Sequence, residues 1–208
     1  PALPLSSADS SGGWEPAAGS RHASSVVRSG ERRVAFLGGH GERRIDGQAN
    51  FDFGQWGKQL REKGFVFSTL NLGTEAAIPE DTAVLVIAGP QVDLLPGEVA
   101  LIQAYVARGG NLLWFSEPGD KKGLEPLAAQ LGLEFLSGTL VDPTGQMLGI
   151  SNPAIIVVGE YPNHPVTEGL ATLTLFPEAH AIKSLNKDDW QATPLLRSLP
   201  RSWSETGP

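Results

Sequence analysis

No cysteine occurs anywhere in the 208 residues. That absence removes disulfides, thiolate metal sites and a cysteine nucleophile together, and it leaves the redox compartment undetermined. Basic blocks are missing too. No Lys/Arg cluster exceeds the pairs Arg32-Arg33 and Arg43-Arg44, and the formal net charge is -7, so nucleic acid and anionic membrane surfaces are poor electrostatic partners. No run approaches the roughly 18 apolar residues that a membrane span needs. The four histidines, His22, His40, His164 and His180, show neither H-x-x-x-H nor H-E-x-x-H spacing. A zinc site would have to be assembled by the fold, with carboxylates such as Asp142 and Glu178 as partners, and no metal ligands or cofactor are assigned. The chain opens on Pro1 and closes on "RSWSETGP", which reads as a piece of a longer protein.

What is present is enough apolar content, 40%, for one sizeable core. Residues 1–30 are rich in Ser, Ala, Gly and Pro and cannot bury enough surface to fold alone, so they read as a linker or docked segment. Residues 31–180 read as one α/β domain, and 181–208 as its C-terminal extension or the start of a further segment. Val34 to Leu37 is a continuous apolar run suited to a buried strand. Phe53, Trp56 and Leu60 recur at helical spacing before Gly64, which can stop a helix in a left-handed conformation. Phe65 to Leu70 and Ala83 to Gly89 follow as strands. Pro96 fits the first turn of a second helix with an apolar face of Val99, Ile102, Tyr105 and Val106, ended by Gly109-Gly110. Asn111 to Phe115 is strand four, Gly123 to Leu131 a third helix, and Leu133 to Leu136 a fifth strand. The order β-α-β-β-α-β-α-β predicts an open, doubly wound, mainly parallel sheet, with strand order 2-1-3-4-5 if flavodoxin-like. After Gly138, turn signals surround strand-like runs at Ile155 to Val158 and Ala171 to Phe176, which predicts a β-rich extension. Trp56 and Trp114 fit core-facing positions. Trp14 and Trp203, in the irregular ends, suit an anchor or a partner contact.

The question of function gathers at "GGHGER", Gly38 to Arg43. This turn lacks both the G-x-G-x-x-G fingerprint and the Walker pattern, and a mostly polar stretch separates it from the next helix, so no phosphate cradle is read there. If strands one and three are neighbours, their carboxyl ends line one crevice. His40, Glu42 and Arg43 enter it from one side, Pro90 and Gln91 from the other, with Ser116 and Glu117 after strand four. Such residues resemble an acid-base set. Each also has a plainer reading: His40 capping backbone groups, Glu42 paired with Arg43 or Arg44, Ser116 opening a turn before Pro118. No motif fixes a nucleophile beside a base, so no catalytic residue is assigned. His40, Glu42, Arg43, Gln91, Ser116 and Glu117 stand as candidate ligand or partner contacts.

"VAFLGGHGER", followed by "IPEDTAVLVIAGPQVDLLPGEVALIQAYVARGGNLLWFSEPG" and later "NHPVTEG", resembles the auxiliary component of uncharacterised and gliding-motility-associated ABC transport systems. The resemblance covers roughly Arg33 to Pro177. It implies a fold similar to class I glutamine amidotransferases and an extracytoplasmic (periplasmic) domain held at the membrane by segments outside this sequence. It also implies permease and ATPase subunits as partners. Amidotransferase chemistry needs a thiolate on a strand-to-helix elbow, and the corresponding strand here ends "IAGPQVD". Two functions from different classes follow. The first is a non-catalytic interaction or ligand-sensing domain. The alternative is a hydrolase or amidotransferase-like enzyme acting on a small or carbohydrate ligand in the crevice.

Overall fold

The computed structural model describes residues 32–207, apart from Asn186 and Asp188. The chain divides into Pro1–Gly30 and Glu31–Pro208. The linker expected over 1–30, with Trp14 and His22, lies outside the described residues, and the second unit holds every described element.

Four parallel strands carry the fold: β1 (Arg32–Leu37), β2 (Phe65–Leu70), β3 (Thr82–Ala88) and β4 (Leu112–Phe115), in the spatial order β2-β1-β3-β4. The central pair, β1 and β3, carries the apolar runs Val34 to Leu37 and Ala83 to Ala88 and packs on both faces, as parallel strands covered by helices must. Ala35, Leu37, Leu85 and Ile87 face one side, where α2 (Pro96–Ala107) contributes Val99, Ile102, Tyr105 and Val106. Leu124 and Leu127, at α3 (Glu125–Leu131), complete that core. Val34, Phe36, Val86 and Ala88 face the other side, beneath Ile45, Phe53 and α1 (Gly54–Glu62). The three helices and their glycine stops appear as the sequence predicts, with Gly64, Gly109 and Gly132 all at positive φ.

Two expectations need correction. β5 (Leu133–Phe135) does not join the parallel sheet but pairs antiparallel with β9 (Ile182–Ser184). Three residues, with Glu134 between Leu133 and Phe135, are too short a pattern to state a partner. The order is therefore flavodoxin-like only through its first four strands. Trp56 is not enclosed: it is 37% exposed, shielded by the rings of Phe53 and Phe115 at 5.6 and 6.4 Å. In α1 only Gly57 is buried, and the helix rests on the preceding segment through two glycines, Gly57 against the Ile45 carbonyl and Gly54 against that of Gly47. Trp114 does pack against the main core.

The tail forms short antiparallel ladders, as a β-rich extension should. β6 (Thr139–Val141) pairs with β10 (Trp203–Glu205), and β7 (Ile155–Val158) with β8 (Thr174–Pro177). A 3-10 turn, Pro143–Leu148, follows β6 and is capped by the Asp142 carboxylate, which accepts from Thr144 N–H at 2.8 Å.

Candidate functional site at the carboxyl edge

The loops after β1 and β3 meet, because neighbouring parallel strands deliver both at one edge. The His40 carbonyl accepts the Gln91 and Val92 N–H groups at 2.7 and 3.2 Å, and Arg43 N–H donates to the Ala88 carbonyl at 2.9 Å. Gly39, Gly41 and Gly89 supply the positive φ angles these turns require.

The six candidate residues separate into two groups. His40 and Glu42 are turned inward. The His40 ring lies between two carboxylates, with Nδ1 3.1 Å from Glu42 Oε1 and Nε2 3.0 Å from Glu98 Oε2. Glu42 Oε2 also accepts the His40 N–H at 2.8 Å, and Glu98 Oε2 accepts Leu95 N–H at 2.7 Å. All three side chains are at least nine-tenths buried. Two N···O contacts need two protons and a neutral imidazole carries one, so the second makes the ring an imidazolium or sits on a carboxyl. The trio ties the β1 loop to the first turn of α2. Sequence reading missed Glu98, although a Glu three residues into a helix start is a capping position.

The remaining four face outward. The Arg43 guanidinium pairs with the Glu117 carboxylate across Gly89 and reaches the Phe51 carbonyl at 3.2 Å. Glu42 thus pairs with neither Arg43 nor Arg44, and Arg44 instead meets Asp46 at 3.1 Å. Gln91, Ser116 and Glu117 line a cavity of about 170 Å3 together with Pro90, Lys121 and Lys122. Ser116 Oγ contacts the Glu117 carbonyl at 3.4 Å. Lys122 holds a left-handed backbone at φ 56, an unusual state for a residue with a β-carbon.

Lys121 and His180 were not legible together, being far apart in sequence. Lys121 Nζ donates to the Glu117 carbonyl at 2.6 Å and lies 3.1 Å from His180 Nδ1. The ammonium also sits 4.9 Å over the Phe135 ring, on which His180 stacks. Burial, with the Lys121 charge second, pushes the His180 pKa down to about 4, and burial lowers Lys121. A neutral imidazole accepting from an ammonium is the consistent assignment. His164 has the turn role expected of it: its Nδ1 accepts Val166 N–H at 3.1 Å. Among the described residues no group of three or more His, Asp or Glu is arranged to hold a metal ion, and no helix is long and apolar enough to cross a membrane.

Among solved structures, the fold is similar to one titled mmIFT52 N-terminal domain, at 15% identity and a TM-score of 0.59. That alignment covers 78% of this chain and 76% of the other. At that identity the likeness concerns the fold alone. No curated protein matches. The family comparison spans residues 31–208, the whole of the α/β domain with its ladders. On that match, the chain belongs to the family of auxiliary components of ABC-type uncharacterized transport systems.

Proposed function

We propose that this domain is a non-catalytic recognition domain of the transport system, built on an amidotransferase-like frame and tethered outside the cytoplasm beside the permease and ATPase. The observation that carries the reading is the His40 environment. A general base needs a free ring nitrogen aimed at a nucleophile, and both nitrogens of His40 are engaged by Glu42 and Glu98. Pro90 and Gln91 occupy the strand end where an elbow would present a thiol, and the chain has no cysteine. For the hydrolase alternative, the only described partner of the Ser116 hydroxyl is the Glu117 carbonyl, which activates nothing.

Recognition falls to the outward group: Arg43, Gln91, Ser116 and Glu117. Gln91→Ala and Glu117→Ala should each weaken capture of the permease and ATPase subunits by about tenfold, the size of one lost hydrogen bond to a charged group. Their thermal midpoints should stay near that of the unaltered chain, because the part-exposed Arg43–Glu117 pair contributes under about 1 kcal/mol and Gln91→Ala loses only the bond from its Nε2 to the Gly89 carbonyl at 2.8 Å, worth about 0.5–1.5 kcal/mol. Glutamine should yield no ammonia. Ammonia release abolished by His40→Ala would reverse the assignment.

A further inference from the structure

With β5 paired elsewhere, β4 is the edge of the main sheet. Its ladder fixes where each backbone group points. Leu85 N–H donates to the Asn111 carbonyl at 2.9 Å and Gly89 N–H to the Phe115 carbonyl at 3.2 Å, so residues 111, 113 and 115 address β3. Along a strand the N–H and C=O of one residue share a side, and the sides alternate. Leu112 and Trp114 therefore direct theirs away from the sheet, and among the described residues these groups meet no partner.

They open into a groove of about 1110 Å3, whose lining includes Phe135, packed edge-on against the Trp114 ring at 5.0 Å, with Phe176 and Ile182. The charged lining is short. Arg43 and Glu117 neutralise one another, and Glu178 is exposed with no ion-pair partner among the described residues. Glu178 also holds a left-handed backbone at φ 52. His180, with its pKa near 4, adds no charge at neutral pH. The groove therefore offers unpaired strand hydrogen bonds, apolar walls and one uncompensated carboxylate.

We infer that this groove takes an extended segment of a partner polypeptide as a fifth strand on the β4 edge, apolar at alternate positions and carrying a Lys or Arg toward Glu178. Backbone pairing specifies a strand, the walls specify its alternate side chains, and the carboxylate specifies the charge. A second copy is a poor fit, because edge-to-edge pairing would bring two uncompensated Glu178 carboxylates into one interface. The inference rests on the recognition reading, yet it concerns the sheet edge rather than the loop crevice.

The test uses the 208-residue chain and a capped synthetic peptide of alternating Val and Thr with one terminal Lys, followed by calorimetry and residue-level amide exchange. Binding should slow exchange at Leu112 and Trp114 while leaving Leu113, which addresses β3, unchanged. N-methylation of the peptide's pairing amides should weaken binding by about tenfold or more. A Glu in place of the peptide's Lys should weaken it several-fold, and Glu178→Gln should erase that preference. Equal binding of the N-methylated peptide, or unaltered exchange at both edge amides, overturns the inference. Protection of the same amides by self-association would assign the edge to a second copy. Binding that needs residues 1–30 removed would assign it to the chain's own segment. Either result overturns a partner strand but leaves the crevice reading standing, since that reading depends on Gln91→Ala and Glu117→Ala against the transporter subunits.

Discussion

Glu98 is a single carboxylate holding two elements in register, since its Oε2 accepts from Leu95 and also faces His40. Glu98→Ala would leave a helix N–H and a buried ring nitrogen without partners, at about 1–3 kcal/mol for each such group. Part of that cost is offset because a buried carboxylate no longer has to be desolvated. A net loss of about 2 kcal/mol in urea unfolding is expected, and less for Glu98→Gln, which keeps an acceptor. His180 yields a pH signature instead. Its folded pKa, about 4, lies below its ordinary 6.5, so the unfolded chain binds the extra proton between those values. Stability is retained above pH 6.5 and declines as pH falls from there toward 4. His180→Asn should flatten that decline, and parallel curves for the two proteins between pH 6.5 and 5 would refute the assignment. The sequence placed the loop residues at the right edge, because strand ends dictate loop positions. It did not reveal which way their side chains turn, because the partners Glu98, Lys121 and His180 come from elements whose packing no local pattern encodes.

The helices and the first four strands were readable because period and punctuation agree in each of them: apolar runs for β1 and β3, an apolar face for α2, glycines at the stops. β5 failed for want of length, and its pairing was settled by a segment far along the chain. Helix glycines show how context overrides propensity. Replacing a helical Gly with Ala ordinarily stabilises by about 0.5–1 kcal/mol. At Gly97 in α2 nothing lies within 4 Å of an added β-carbon, so Gly97→Ala should show that gain or none. At Gly57 the added carbon would sit 2.2 Å from the Ile45 carbonyl. Shifting the helix off its seat costs about 1–3 kcal/mol, which outweighs the propensity. Gly57→Ala should therefore lower the denaturation midpoint while Gly97→Ala does not.

Across the whole molecule, two kinds of pairing coexist. The parallel sheet is complete by Phe115, whereas β5 must wait for β9 and β6 for β10, partners that lie far downstream. Closing long loops costs entropy before any contact rewards it. In pulsed amide exchange during refolding, β1 and β3 should gain protection before β5 and β6; simultaneous protection would place the ladders in the same nucleus. The β5 and β9 pairing spans about fifty residues. At a synthesis rate of ~5–20 residues per second, that separation lasts about 3–10 s on the ribosome. Through that interval the nascent chain holds a finished sheet and, beside it, a β5 strand whose Phe135 packs on Trp114 as part of an apolar wall while its β9 partner is still unmade. The same apolar wall is then a target for chaperones or for aggregation, a hazard set by the order in which the sequence is made.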